Sequence, residues 1–377
     1  MKNWLENHWV APAYGGGALL AVTFCFFAAA TNTMAGWLYA ICGTSMALLG
    51  ASAILPPRSL RPLTARRLPI EPVSAGDDLA VTIEIANPTG EPKTLLEVRD
   101  ILPFVLAPPK AHPIESVPAR DSYRWTNYIP TTKRGIYRWN EIQLRTATPL
   151  GLFWCSRRRE VPARAVVYPR VLPLQQCPIV DSLGQDRNPL QSDRHYRRAT
   201  EGFTRNLRQY RYGDPIRLIH WKTSARLGEF QVRELEILSG GQEVIVCLDT
   251  LSRWPSATFE RAIVAAASLY FYASRRQFTA KLWTAGTGVI HGERSILETL
   301  AAVESGETES KETLPDMPVI WLTGNPVSIE SLPAGSRWLF FPDGDSDDRS
   351  PLSSREFLGL TIDPERTLQQ QLQAPLR

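Results

Sequence analysis

The stretch from Trp9 to Pro57 reads WVAPAYGGGALLAVTFCFFAAATNTMAGWLYAICGTSMALLGASAILPP and contains no Asp, Glu, Lys or Arg. A helix that crosses a bilayer core of roughly 30 Å needs about 20 apolar residues. The stretch is therefore long enough for two crossings, and we predict a membrane hairpin within residues 1–57. We place its helices at Trp9–Ala30 and Met34–Leu55, with the turn at Thr31–Thr33. Pro56 and Pro57 should end the second helix, because proline lacks the N–H that continues the hydrogen-bond ladder.

The flanking charges predict the orientation of this hairpin. Four arginines follow the second segment, namely Arg58, Arg61, Arg66 and Arg67, and the hairpin turn carries no charge. Because positive residues stay on the cytoplasmic side, both termini and the soluble domains should face the cytoplasm from the inner membrane. The alternative is a signal peptide cleaved after the small residues Ala28 and Ala30. Cleavage would still leave the second segment as an anchor.

Composition limits the function classes. The formal net charge of +4 is too small to argue for a nucleic-acid partner by itself, so none is expected. The five cysteines are scattered and odd in number, which argues against a disulfide framework. The sequence has no CxxC pair, no HExxH and no P-loop. We therefore expect no cofactor, no metal and no enzyme activity.

The region after a basic linker (58–69) is rich in strand signals. Leu79–Ile85 alternates apolar and polar residues and ends at the turn cluster Asn87–Gly90. Further strands are predicted at 94–98, 122–129, 135–139, 142–146 and 164–168. Many short strands separated by prolines predict a β-sandwich over residues 70–175. The domain could be an interaction module or a spacer without a ligand, and the sequence favours neither.

The C-terminal part alternates strands and helices. Strands are predicted at 243–248, 278–284, 318–323 and 337–341, and helices at 258–275 and 294–303. This alternation implies a parallel sheet in a three-layer α/β domain, with ligands expected at the carboxyl ends of the strands. The domain should span residues 187–345. Residues 346–377 are expected to form a loose acidic and glutamine-rich tail.

A basic segment at 187–233 opens the C-terminal domain. Its centre, from Arg208 to Gly228, reads RQYRYGDPIRLIHWKTSARLG. Asp214 before Pro215 is typical of a helix start, and Gly228 is typical of a helix end. The candidate binding residues of this segment are Arg208, Tyr210, Gly213, Asp214, Arg217, His220, Trp221, Lys222, Ser224 and Arg226.

This pattern resembles the signature of the bacterial "domain of unknown function 58" family. Three earlier motifs also look like that family: Lys133–Tyr137, Thr148–Phe153 and Tyr168–Arg170. The resemblance covers roughly residues 10 to 290. It implies a C-terminal domain similar to the von Willebrand factor A domain. It also implies a MoxR-type AAA+ ATPase as a partner.

The resemblance also bears on metal binding. Domains similar to von Willebrand factor A often hold a divalent cation through Asp-x-Ser-x-Ser after the first strand. Here Asp249 is followed by Leu251 and Arg253 at the serine positions, and Arg253 would place a positive charge where a cation would sit. Since a hard cation needs several oxygen ligands, Asp249 marks a degenerate site at which we predict no metal.

The signature itself has two interpretations. Asp214 and Trp221 are expected to hold the segment on the α/β domain, with Trp221 in the core and His220 structural. Arg208 and Arg217 are expected to form a partner surface. The leading hypothesis is a membrane-anchored interaction or assembly protein that serves as an adaptor for the ATPase. The alternatives are an uncharacterised enzyme, or a membrane-surface protein that binds anionic lipid or nucleic acid through residues 187–233.

Overall fold

The computed structural model describes residues 4, 6–7, 9–183, 203–210, 218–236, 243–307, 313–342 and 358–376. These residues divide into two compact units, Met1–Pro169 and Arg170–Arg377. Each unit is described by itself.

The first unit contains two long helices and nine strands among its described residues. The helices are α1 (Tyr14–Thr33) and α2 (Gly36–Leu60). The strands are β1 (Ala11–Pro12), β2 (Thr64–Arg67), β3 (Val73–Ser74), β4 (Asp78–Asn87), β5 (Lys93–Asp100), β6 (Ala111–Val117), β7 (Asp121–Pro130), β8 (Gly135–Thr146) and β9 (Phe153–Tyr168).

The described part of the second unit mixes short and long elements. The helices are α3 (Pro178–Asp181), α4 (Trp221–Leu227), α5 (Ser256–Arg275), α6 (Glu293–Ala302) and α7 (Leu368–Leu372), with a 3-10 helix at Pro326–Ile329. The strands are β10 (Phe203–Gln209), β11 (Gln231–Glu236), β12 (Glu243–Leu248), β13 (Thr279–Thr284), β14 (Gly288–Ile290), β15 (Val319–Thr323), β16 (Arg337–Phe340) and β17 (Gly359–Thr361).

Helices α1 and α2 are both long and apolar enough to cross a membrane. Only 17% of the apolar window of α1 and 22% of that of α2 are buried, so neither helix is the core of a soluble domain. Large apolar side chains such as Phe24, Met46 and Ile54 are exposed along them. Lipid is the solvent that suits such a surface, and the two helices therefore indicate a membrane protein.

The start of the hairpin differs from the prediction. The first helix begins at Tyr14 rather than Trp9, because Ala11 and Pro12 form β1 and pair with β9. Gly16 lies so close to Leu152, the residue before β9, that an added Cβ would stand 2.0 Å from the Leu152 carbonyl oxygen. The helix is thus fixed to the sandwich at its first turn. The turn of the hairpin lies at Met34 and Ala35, since α1 continues to Thr33.

The end of the hairpin also differs, because α2 passes through Pro56 and Pro57 and ends at Leu60. Two contacts stabilise this extra turn. Leu60 is fully buried in the apolar core of the sandwich. The Arg159 side chain donates to the Leu60 carbonyl oxygen over 2.9 Å, which satisfies a helix end that proline weakens.

The sandwich is built from two sheets. One sheet has the order β1-β9-β8-β5-β6, with β3 also paired to β9, and the other has the order β2-β4-β7. Their inner faces share two clusters of buried apolar side chains. The strands predicted at 135–139 and 142–146 are a single strand, β8, with an irregularity after Trp139. The strand predicted at 164–168 is the end of β9, and β6 was missed.

The basic linker is partly a strand of the sandwich, so its prediction as a linker was wrong at residues 64–67. Residues Thr64–Arg67 form β2. Arg66 forms an ion pair with Glu84, and Arg67 is buried beside Asp100. Arg58 at the end of α2 and Arg61 directly after it are exposed, and the Arg66 side chain is still 68% exposed beside Glu84.

The second unit contains a six-stranded sheet of order β14-β13-β12-β15-β16-β17. All neighbouring pairs are parallel except β13 with β14. The chain order reverses at β12, so the carboxyl ends of β12 and β15 form a switch point of this sheet. One face of the sheet packs against α5, α6 and α7. The described part of the opposite face carries Trp283, Trp321 and Trp338. The six predicted elements of this domain are confirmed.

The expectation of a loose tail is wrong for residues 359–372. Strand β17 extends the sheet by pairing in parallel with β16. Leu372 of α7 is buried in the main core, and the side-chain amide of Gln371 bonds the backbone of Asp363. The apolar residues Leu360, Ile362, Leu368 and Leu372 supply the packing that the composition of the tail concealed.

Candidate functional site

The signature lies in the connection of a hairpin. Strands β10 and β11 pair antiparallel, from Phe203 opposite Glu236 to Gln209 opposite Gln231. Two backbone bonds extend the pairing into the loop, from Tyr210 N to Phe230 O and from His220 N to Gln231 O, each 2.8 Å. The two-stranded sheet and α4 therefore present the described part of the signature as one compact element.

The helix of the signature starts later than predicted. It begins at Trp221, since Ile219 makes an isolated bridge to Val232 and is not helical. His220 provides the N-cap, and its Nδ1 accepts the backbone N–H of Thr223 over 3.2 Å. Gly228 ends the helix at a φ of 74°, as the sequence predicts. Residues 211–217, which include the predicted start at Asp214, lie outside the described residues.

Ser224 stabilises the same element from inside. Its hydroxyl donates to the His220 carbonyl oxygen over 3.0 Å and accepts the Gln231 N–H over 2.9 Å. The side chain is buried, so both bonds are shielded from water. His220 and Ser224 thus join α4 to β11 and hold the shape of the signature.

Trp221 lies on the surface, so its prediction as a core residue is wrong. Its side chain is 60% exposed. The ring meets Phe230 edge to face, with centroids 6.1 Å apart, and Phe230 is itself 56% exposed. Tyr210 contacts the same phenyl ring at 6.2 Å. We call Tyr210, Trp221 and Phe230 the aromatic cluster.

Two cations stand beside the aromatic cluster. Lys222 and Arg226 lie one helical turn apart on α4, and both are exposed. No ion pair joins either of them to a carboxylate among the described residues. The remaining candidates are not placed: the side chain of Arg208 and the whole of Gly213, Asp214 and Arg217 lie outside the described part.

The switch point of the main sheet carries a second polar cluster. The buried Asp249 follows β12, and its Oδ2 accepts hydrogen bonds from the hydroxyls of Ser252 and Thr323, each over 2.7 Å. Its Oδ1 accepts the Ser252 N–H over 3.2 Å. The hydroxyl of Ser328 donates to that of Thr323 over 3.0 Å. The carboxylate is thus satisfied by protein donors.

The Arg253 side chain runs past Gly306. Its aliphatic part lies against Gly306, where an added Cβ would stand 3.1 Å from its Cγ. The hydroxyl beside Asp249 comes from Ser252, which the Asp-x-Ser-x-Ser spacing does not consider. A neighbouring contact was also missed: Glu307 accepts from the Thr250 hydroxyl over 2.6 Å and from the Gly286 N–H over 2.7 Å. Nothing in the sequence pattern links these positions.

Comparison with protein families identifies the signature. Residues 206–297 match the family described as "Protein of unknown function DUF58". The chain carries a DUF58 segment. The match confirms the resemblance predicted from the signature, and it runs from the β10–β11 hairpin through the switch-point residue Asp249 to α6. No curated protein matches the chain.

Similarity to solved structures is weak. The chain is similar to the CARDB domain of PF1109 from Pyrococcus furiosus, with 15% identity over 26% of this chain and 94% of that one, and a TM-score of 0.19. A crystal structure of the same domain with di-metal ions gives 14% identity over 28% and 93%, with a TM-score of 0.18. A GH20 exo β-N-acetylglucosaminidase from Vibrio harveyi gives 9% identity over 70% and 31%, with a TM-score of 0.18.

The cysteines of the soluble parts, one of them within the DUF58 segment, are poor nucleophiles. Burial raises the pKa of the Cys155 thiol, raises that of Cys177 to about 12, and raises that of Cys247 well above its usual range. An activated cysteine needs the opposite shift, because the thiolate is the reactive form. These three residues therefore serve packing.

Proposed function

We propose that this chain is a membrane-anchored interaction or assembly protein whose partner surface is the aromatic cluster of the DUF58 segment. The observation that carries the proposal is the exposure of Trp221 and Phe230 within the DUF58 segment. Exposed tryptophan and tyrosine beside cations are the residue types that dominate binding energy at protein interfaces. His220 and Ser224 support the proposal, since they fix the cluster before a partner arrives.

The partner we propose is an AAA+ ATPase of the MoxR type. Proteins that the signature resembles usually occur with such an ATPase. Lys222 and Arg226 favour an acidic patch on its surface, because complementary charges speed association and select the partner. The chain would act as its adaptor at the membrane, in cell-envelope or complex-maturation work.

We further propose that the α/β domain is similar to the von Willebrand factor A domain. The reversal of strand order at β12 and the antiparallel strand β14 support this assignment. Catalysis by Cys177 or Cys247 does not fit the same domain, because both are buried thiols of raised pKa. Asp249 would then stabilise the switch point rather than bind a ligand.

The proposal places the soluble units in the cytoplasm, with α1 and α2 as a two-pass anchor. Arg58 and Arg61 support this orientation, since both are exposed directly after the last apolar turn of α2.

Affinity purification from membranes tests the proposed function. The full chain, extracted in mild detergent, should retain an AAA+ ATPase, and the Trp221→Ala variant should lose it. The matched control is Leu251→Ala, which removes another exposed apolar side chain from the same unit. Retention of nucleic acid or anionic lipid through residues 187–233 instead of an ATPase would favour the alternative function. Equal ATPase recovery with Trp221→Ala would contradict the proposed surface.

A further inference from the structure

A basic cavity lies where the second membrane helix meets the sandwich. It has a volume of about 400 Å³ and is lined by Pro57, Arg58, Arg61, Arg157 and Arg159. Four of its five lining residues are arginines and none is acidic. Such a concentration of positive charge is costly unless an anion balances it.

The sequence brings these arginines together from two elements. Arg58 and Arg61 are three residues apart at the end of α2, so they lie on one side of the helix. Arg157 and Arg159 are two residues apart on β9, so they share one face of that strand. The intervening Arg158 has its own partner, Glu141, at 3.0 Å.

The two pairs of arginines differ in their hydrogen-bond partners within the protein. Arg159 donates to the carbonyl oxygens of Leu60 and Leu63, and Arg157 donates to those of Asn7 and Trp9, so these two are fixed by backbone contacts. Arg58 and Arg61 are exposed.

Local acids do not neutralise the cavity. Among the described residues, no ion pair joins a carboxylate to Arg58, Arg61, Arg157 or Arg159. Glu6, whose carbonyl oxygen lies 3.5 Å from Arg157, directs its carboxylate to Arg145 instead. The two acids nearest in sequence after the helix, Glu71 and Asp77, come only beyond β2.

The level of the cavity relative to the bilayer indicates its ligand. The stretch from Trp9 to Pro57 has no charged residue, and Arg58 is the first charge after it. Trp9, 68% exposed, stands at the other end of that stretch and bonds Arg157 through its carbonyl oxygen. Tryptophan is enriched at the level of lipid headgroups, so the cavity opens where phosphates of the bilayer lie.

We propose that Arg58, Arg61, Arg157 and Arg159 form a binding site for the phosphate of an anionic phospholipid headgroup. Guanidinium groups suit this ligand because their paired N–H donors match phosphate oxygens. The fixed pair would supply the positive floor of the site, and Arg58 and Arg61 would close on the phosphate. The site shares no residue with the aromatic cluster or with the basic segment 187–233, and it requires only that α2 enters the membrane.

Native mass spectrometry of the detergent-purified full chain tests the site. The parent should bind phosphatidylglycerol in preference to phosphatidylcholine. Arg58→Gln/Arg61→Gln should bind phosphatidylglycerol about 25-fold more weakly, at about five-fold for each arginine near an anionic surface. These two residues are chosen because Arg157 and Arg159 support the backbone. The matched control is Lys133→Gln/Arg138→Gln, which removes two exposed charges elsewhere in the same unit and should bind like the parent.

Three results would overturn the proposal. They are equal binding of both lipids by the parent, equal phosphatidylglycerol binding by the parent and the Arg58→Gln/Arg61→Gln variant, and displacement of the lipid by millimolar inorganic phosphate, which would assign the site to a soluble phosphate. A separate fractionation of cells reports whether the chain is in the membrane, so failure of the anchor and failure of the lipid site are distinguishable.

Discussion

At the scale of single residues, two tryptophans of the second unit show how environment decides role. Trp221 is 60% exposed and touches Phe230 only edge to face. Trp254 is 7% exposed, packs against Phe259 and Phe341, and donates its Nε1–H to the Asp249 carbonyl oxygen over 3.0 Å. The first is available to a partner and the second holds the core.

Alanine substitution should separate the two roles. Trp254→Ala should lower the free energy of unfolding by about 3–5 kcal/mol, since it empties a core position. Trp221→Ala should cost less than about 1 kcal/mol, because water already covers most of the ring. Thermal unfolding of both variants beside the parent provides the measurement. If Trp221→Ala lowers the free energy of unfolding as much as Trp254→Ala does, the Trp221 ring is a core residue in solution.

The Asp249 carboxylate gives a prediction about metal. Its oxygens already accept from Ser252 and Thr323, so Mg²⁺ or Ca²⁺ would have to displace protein donors. We expect calorimetric titration of the full chain to detect no site tighter than about 1 mM at Asp249. A tighter site that disappears in Asp249→Ala would contradict this account.

The sequence predicted some of these residue roles and not others. Gly228 was assigned correctly because a helix end in the left-handed region favours glycine. Trp221 was assigned to the core because a large apolar side chain is usually buried. A single sequence does not indicate which face of α4 is exposed to solvent. The contact of Glu307 with Thr250 joins residues far apart in the chain, so no local pattern could reveal it.

At the scale of elements, Glu84 links all three strands of the smaller sheet. Its carboxylate on β4 forms an ion pair with Arg66 of β2, and it accepts from the Ser122 hydroxyl of β7 over 2.9 Å. Arg124 of β7 adds a contact of 3.3 Å. The bonds from Arg66, Ser122 and Arg124 hold the pKa of Glu84 below its usual value, at about 2.

This depressed pKa predicts an acid-sensitive sheet. Because the unfolded chain binds the proton more tightly, the stabilisation is complete above the ordinary pKa of Glu84, near 4.5, and is lost as the pH falls towards 2. Chemical unfolding of the parent and of Glu84→Gln at pH 6 and pH 3 measures the stabilisation that the Glu84 carboxylate provides. The stability difference between the two proteins should shrink at pH 3. Glu115→Gln, at an exposed position of β6, is the control and should follow the parent at both values.

Elements with a clear hydrophobic pattern in the sequence were predicted better than elements that depend on contacts between distant residues. The buried run Glu243–Leu248 became β12 with the same bounds. The hairpin β10–β11 was missed because basic residues hide its alternation, and β17 was missed because only its pairing with β16 stabilises so short a strand. Helix α2 continued past Pro57 because tertiary contacts at Leu60 outweighed the local preference of proline.

At the scale of the whole molecule, the anchor determines which compartment the soluble units occupy. Of the four arginines that suggested a cytoplasmic orientation, Arg66 and Arg67 are paired within the sandwich. The orientation depends most on Arg58 and Arg61, because both are exposed and lie nearest the last apolar turn of α2, whereas the Arg67 side chain is buried.

A reporter fused after Arg377 tests the orientation. A fluorescent protein that matures only in the cytoplasm should be active there, and a phosphatase that needs the periplasm should be inactive. The matched pair of fusions after Met34, in the hairpin turn, should give the opposite pattern. Phosphatase activity of the fusion after Arg377 would place the soluble units outside the cytoplasm. It would contradict the proposed binding of an ATPase.

The central claim is that the aromatic cluster of the DUF58 segment is the surface that meets a protein partner. Its most direct test is photo-cross-linking in living cells from a benzoylphenylalanine placed at position 221, with position 251, also exposed in the second unit, as the control. We predict a cross-link to an AAA+ ATPase from position 221 and none from position 251. Cross-links from position 221 to lipid or nucleic acid alone, or equal ATPase cross-links from both positions, would contradict the claim.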